Sequence, residues 1–227
     1  MDNEVLQSRI TLTYNALRFG MVIISASMPI VVVAWGHIFG VDWQKSMSDY
    51  YFALPAGEPK LLTYPCRVPF VGMLFALGSF LYLYKGFSKR ENIALNFAGL
   101  CALGVALCPE HIEPGYIPYS CVLHPAFAIF MFIGMAYTAI FCHDDTLQFI
   151  TVEDRRRRYK IAYYIIGWFM GLFPLSGLVL AHYAGGERPA YWIEAAGTWA
   201  FAAYWYTKSR ELEESQLETT EVAESVA

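Results

Sequence analysis

Polar and apolar residues along this chain are segregated into long blocks rather than interleaved. Six apolar stretches, at about 16–39, 66–86, 92–108, 121–142, 160–182 and 190–207, are separated by short islands that carry most of the charge. A helix needs about 20 mainly apolar residues to cross roughly 30 Å of hydrocarbon. All six stretches approach or exceed that length, the third and sixth being shortest. The pattern predicts an all-α fold, a polytopic membrane helix bundle with six transmembrane helices in one domain over residues 1–210. Pro29 falls inside the first stretch and Pro174 inside the fifth. Neighbouring helices satisfy the backbone groups that such prolines free, so both are expected to kink a helix and not to end it.

The islands orient the bundle. Arg9, Arg18, Lys85, Lys89, Arg90, Arg155, Arg156, Arg157, Arg158, Lys160, Lys208 and Arg210 fall on one side, and only Lys45, Lys60, Arg67 and Arg188 on the other. The positive-inside rule places the first group, and hence both termini, in the cytoplasm. Tyr and Trp near both ends of the stretches suit the headgroup level. Ala94, Ala98, Ala102 and Ala106 form a small-residue ridge on the third stretch, and Gly167 and Gly171 a second on the fifth. Both are read as packing surfaces, since small residues let helix backbones approach closely.

Composition agrees with this picture. Only 16% of residues are charged, against about 25% in soluble domains. The first apolar stretch carries no small-residue cleavage site and is expected to stay as an uncleaved anchor. Residues 211–227 are acidic and lack aromatic residues, which predicts a disordered cytoplasmic tail. No basic face suggests nucleic acid as a partner. The Arg155–Arg158 run is a topology signal, with capacity to grip anionic lipid headgroups. Asn15 and Arg18 are expected at the interface.

Candidate chemistry collects on the outer side. His37, His111, His124 and His182 are predicted there with Asp49, Glu110 and Glu194, and only His143 on the cytoplasmic side. His37, His124 and His182 end or begin three helices. Three imidazoles with an open position suit a zinc ion, and Asp49 or Glu110 would then be the base acting on bound water. Against this, no paired-histidine spacing occurs, and interfacial histidines commonly bond water or loop carbonyls. His111 beside Glu110 suits a metal ligand with its supporting carboxylate, or equally a solvated loop. The 46–51 segment, S-M-S-D-Y-Y, sits in a long loop of the kind that often carries function. Ser48 and Asp49 also suit a turn or helix cap. Glu194 lies one turn inside the sixth stretch. An ionisable group there is costly and usually paired, and Arg67 is the expected partner. Cys108 and Cys121 flank the third outer loop, where a disulfide is conceivable if their Cα atoms lie close enough.

Several segments, S-M-S-D-Y-Y (46–51), R-V-P-F-V-G-M-L-F-A-L-G (67–78), Y-L-Y-K-G (82–86), E-N-I-A-L-N-F-A-G-L-C-A-L-G-V-A-L (91–107) and W-I-E-A-A-G-T-W-A-F-A-A-Y-W-Y-T-K (192–208), resemble a family of small six-helix bacterial integral membrane proteins. That family has a domain of unknown function. The resemblance implies a bacterial inner membrane and six spans, and it implies no reaction. Asp49 and Pro69 depart from the family's pattern. A looser analogy is to the seven-helix ceramidase and adiponectin-receptor superfamily, which holds zinc between helix ends; this chain lacks its paired histidines and one helix.

Three functions are expected in order. The first is a multi-pass protein with an outward-facing polar pocket of Arg67, Glu194 and His124, binding a lipid or small ligand, with a membrane-protein partner or a second copy as further partners. The second is a zinc-dependent hydrolase of lipid amides or esters at the outer leaflet. The third is a small transporter, for which Glu194 would be the intramembrane group.

Overall fold

Six long helices follow the six apolar stretches in order, and several extend well beyond them. The computed structural model describes residues 3–56, 63–108, 119–183 and 189–215. They form α1 (Asn3–Ile38), α2 (Arg67–Leu83), α3 (Lys89–Leu107), α4 (Tyr119–Phe141), the single turn α5 (Asp144–Leu147), α6 (Glu153–Tyr183) and α7 (Pro189–Ser215). A 3-10 turn, η1 (Ser48–Tyr51), sits in the loop after α1. Among the described residues there is no strand, only an isolated bridge between Val41 and Pro55 that closes the base of that loop.

Local sequence sets the helix ends. Gly40 adopts a left-handed φ of 75° just past α1. Its N–H donates to His37 O, and Val41 N–H donates to Gly36 O. These two bonds make a Schellman ending, for which glycine is the residue without a Cβ penalty. Ser88 caps α3, accepting from Glu91 N–H at 3.1 Å, while the Glu91 carboxylate accepts from Phe87 N–H at 2.8 Å. That is a variant of the reciprocal capping box. Pro29 and Pro174 lie inside α1 and α6 without ending them. Proline removes one helical donor and loosens its turn. Two carbonyls of α1 at and near Pro29 also accept from α7: Tyr191 Oη donates to Pro29 O at 2.5 Å and Trp199 Nε1 to Ala26 O at 3.1 Å.

The helices close into a ring. α1 packs on α2 and α7, α2 on α3, α3 on α4, α4 on α6, and α6 on α7. Close approaches show adjacent helices running antiparallel. A Cβ added at Gly78 of α2 would lie 2.9 Å from Gly99 O, and one at Gly99 of α3 would lie 2.8 Å from Gly78 O. Here two backbones touch because neither carries a side chain. Gly134 of α4 faces Ala98 and Ala94 of α3, and Gly167 of α6 faces Ala139 and Ile140 of α4. The Ala94–Ala98–Ala102–Ala106 ridge is buried throughout, as its spacing predicts.

Large apolar side chains lie on the surface of the helices, and a few ionisable ones lie within the largely apolar core. Phe19, Ile30, Val68, Leu107 and Ile165 are more than half exposed, whereas Arg18, Glu91, Lys208 and Glu211 are at most 1% exposed. Two segments, Ser8–Ile38 and Leu123–Leu147, are long and apolar enough to cross a membrane, and Arg67–Leu83 is a shorter apolar helix.

α1 begins at residue 3, so Arg18 lies well within the helix, and its guanidinium is buried against the Asn15 carboxamide and Tyr84 Oη at the level of the C-terminal end of α2. One sequence expectation is corrected. α7 runs to Ser215 with Glu211 and Leu212 buried. Residues 211–215 are therefore helix that packs on α6, not the start of a tail; 216–227 lie outside the described residues. Acidic composition misled here because Glu211 has partners that composition does not display: Tyr163 Oη donates to it at 2.6 Å and Lys208 Nζ lies at 3.3 Å.

Candidate functional site

The ring leaves a cavity of about 190 Å³ along its axis. Its wall is apolar along α2, from Phe70 through Leu74 and Leu77 to Leu81, and across α4 and α7 at Phe132 and Phe201. From Phe70 to Leu81 the helix rises eleven residue steps, about 16 Å of helix axis, so the space is long and narrow. The end next to the loop after α1 is polar, formed by Ser46, Ser48, His124, Glu194 and Thr198.

The loop after α1 lies over this end and is fastened to two helices, α7 and α4, by three bonds. Lys45 O accepts from Tyr191 N–H at 2.9 Å, which satisfies one of the unbonded N–H groups in the first turn of α7. Met47 N–H donates to Glu194 Oε2 at 2.6 Å. Ser48 Oγ lies 2.8 Å from His124 Nε2 on α4. Within the loop, Ser46 N–H donates to Asp49 Oδ2 at 3.2 Å and Asp49 N–H donates to Ser46 Oγ at 2.9 Å. This reciprocal pair has capping-box spacing. Tyr50 is 1% exposed beneath the loop, and burial pushes its phenol up. Trp43 packs at a tilt against Tyr191 and Trp192, with ring centres 4.6 and 5.9 Å away.

His124 is 3% exposed and has a partner on each ring nitrogen: Cys108 O at 2.5 Å from Nδ1, and Ser48 Oγ from Nε2. A carbonyl only accepts, so Nδ1 carries the proton. In the neutral ring Nε2 is then an acceptor, and the Ser48 hydroxyl donates to it.

Glu194 and His124 therefore share one pocket, as the sequence suggests, but Arg67 does not join them. Arg67 donates from Nε to Tyr51 O at 3.3 Å, and its guanidinium lies 4.7, 4.6 and 4.2 Å from the ring centres of Tyr51, Phe52 and Tyr64. Three aromatic faces stabilise it in place of a carboxylate. The expected Glu194–Arg67 pair is not formed, because Glu194 turns to the Met47 N–H instead. His37 is exposed at the end of α1, away from the cavity. Among the described residues, no three His, Cys, Asp or Glu side chains gather as a metal would require. A zinc centre on His37 and His124 is not assembled by this geometry. The side chains of His182 and Cys121, and all of Glu110 and His111, lie outside the described residues. Cys108 is a free thiol. Asp49 serves the loop's reciprocal pair and lines a shallow depression on the loop with Gln44, Phe52 and Leu54.

Comparison with protein-family models, curated proteins and solved structures finds no match for this chain. Its chemistry rests on its own geometry.

Sequence reasoning singled out His124 but missed its partner. Ser48 is 76 positions away, and the second partner, Cys108 O, is a backbone atom invisible in sequence. The one local signal was the S-x-x-D spacing of Ser46 and Asp49, which marks an ordered loop.

Proposed function

We propose that this chain is a six-span protein of a bacterial inner membrane, with both termini cytoplasmic, that binds a single-chain amphiphile inside its helix ring. The observation that carries the reading is a long apolar cavity closed at one end by a polar cluster. The membrane part is supported by the exposed apolar side chains on all six long helices, since monomeric soluble proteins rarely expose contiguous apolar patches above a few hundred Å². The orientation rests on the Lys and Arg asymmetry.

Size decides the ligand class. The cavity of about 190 Å³ is somewhat larger than the ~150 Å³ apolar cavity that accommodates benzene. One narrow chain or small ring fits; a two-chain phospholipid does not. The polar head would meet Ser46, Ser48, His124 and Glu194, where hydroxyls and an imidazole favour a neutral hydrogen-bonding group such as an ester or alcohol.

A thermal-shift series in detergent tests this. Medium-chain esters and alcohols are expected to stabilise the protein, by about 2.7 kcal/mol at a hundredfold excess over Kd, and Leu77→Trp, which fills the cavity, is expected to abolish the shift. Equal shifts in wild type and Leu77→Trp would contradict binding at this place.

A further inference from the structure

We propose that Ser48 and His124 form a nucleophile–base dyad that cleaves an ester seated in the cavity. The proposal rests on the amphiphile-binding reading above and adds a reaction to it. Nucleophilic serine needs a base within hydrogen-bond reach and a third group that orients the base. All three are present in the right order. Ser48 Oγ is 2.8 Å from His124 Nε2, and His124 Nδ1 is 2.5 Å from Cys108 O. The carbonyl fixes the tautomer that leaves the Nε2 lone pair facing the hydroxyl. In this arrangement Cys108 O orients the imidazole, the part a carboxylate takes in a Ser-His-Asp triad.

The serine is also held on a firm support. The residues on either side of it are pinned: Met47 N–H to Glu194, Lys45 O to Tyr191 N–H, and Asp49 to Ser46. A site is only as precise as the groups that hold it. Ser48 has access from two directions. It lines the apolar cavity and also the shallow depression of Gln44, Asp49, Phe52, Ala53 and Leu54 on the loop. The acyl chain would lie in the first, and the alcohol would leave and water arrive through the second.

The chemistry balances with water as co-reactant. Ser48 Oγ bonds to the ester carbonyl carbon as its proton passes to His124 Nε2. The carbon–oxygen bond to the alcohol breaks, and the proton on Nε2 goes to the departing alkoxide. Water then gives a proton to Nε2 and its oxygen to the acyl carbon. The bond to Ser48 Oγ breaks, and the serine takes the proton back. The products are one alcohol and one carboxylic acid.

The test is intact-mass analysis of the detergent-purified full chain after incubation with a medium-chain alkyl fluorophosphonate, which a nucleophilic serine attacks with loss of fluoride. One adduct per chain, mapped to Ser48, is expected. It should be absent in Ser48→Ala and form at least about 100-fold more slowly in His124→Gln, the usual contribution of a general base. Prior treatment with a metal chelator should leave the labelling rate unchanged, which a zinc-dependent reaction would not. Ser48→Ala should keep the wild-type far-UV circular dichroism and cooperative thermal unfolding, showing that the fold is intact, and wild type should show the thermal shift with a medium-chain ester. No labelling of wild type that still shows that shift would overturn the dyad and leave the binding reading standing. No labelling and no shift would remove both. Labelling that survives Ser48→Ala would assign it to another residue and overturn the dyad.

Discussion

Lys208 is 1% exposed, with Nζ 3.3 Å from Glu211 Oε2 and 2.5 Å from Thr146 Oγ1. Glu91 is buried nearby, and Lys208 is the cation that favours its charged form. Removing one partner of a buried ionic set leaves an uncompensated charge, at about 3–5 kcal/mol. Lys208→Met is expected to destabilise by that amount, and Lys208→Met with Glu211→Gln to recover part of it, as a double-mutant cycle in thermal unfolding would show. Burial holds the Glu91 carboxyl above its ordinary value of 4.5, with Lys208 and the Phe87 N–H opposing and Asp145 and Glu211 reinforcing. A raised folded-state value means the folded protein binds the proton more tightly than the unfolded chain. Glu91 thus favours folding most below pH 4.5, and this contribution declines as pH rises through the folded-state value. The stability difference between wild type and Glu91→Gln should shift against wild type over that window. If that difference does not change with pH, the burial argument is wrong. At this scale the sequence was least legible. Lys208 and Glu211 read as a topology charge and a tail residue, because what makes them interior is Tyr163 and Thr146 on other elements.

At the scale of elements the sequence spoke more clearly. Apolar stretches became helices, the alanine ridge became a buried face, and Pro29 and Pro174 stayed inside their helices, because each of these follows from spacing along one segment. Helix ends were less legible. α1 reaches back to residue 3 and α7 on to Ser215, where polar residues continue a helix that the apolar count had closed. The Gly78–Gly99 crossing was not singled out, as it depends on which glycines of two helices meet. Gly78→Ala and Gly99→Ala are each expected to lose about 1–3 kcal/mol by overpacking. Gly72→Ala, whose Cβ would meet nothing within 4 Å, is expected to gain about 0.5–1 kcal/mol from helix propensity. Thermal unfolding of the three single variants separates the two cases, and a loss at Gly72 equal to that at Gly78 would contradict the crossing.

The whole molecule combines large exposed apolar side chains, a mainly apolar core in which Arg18, Glu91, Lys208 and Glu211 are buried, and an axial cavity covered at one end by a pinned loop. The proposed orientation, which rests on the Lys and Arg asymmetry, makes a topology prediction. With native cysteines replaced, Asp42→Cys on the outer loop should react with a membrane-impermeant maleimide in intact cells, and Arg157→Cys only after permeabilisation. The reverse pattern would invert the bundle. The candidate site was legible only as a set of outward residues. Its assembly needed the ring to bring α4, α7 and the loop together, and no spacing along the chain encodes that. The most direct measurement is native mass spectrometry of the protein released from its detergent. One single-chain amphiphile per wild-type chain, absent from Leu77→Trp, is the expected result. A wild-type chain that carries none, or an adduct that persists unchanged in Leu77→Trp, would contradict the claim that this ring is built around a lipid-like ligand.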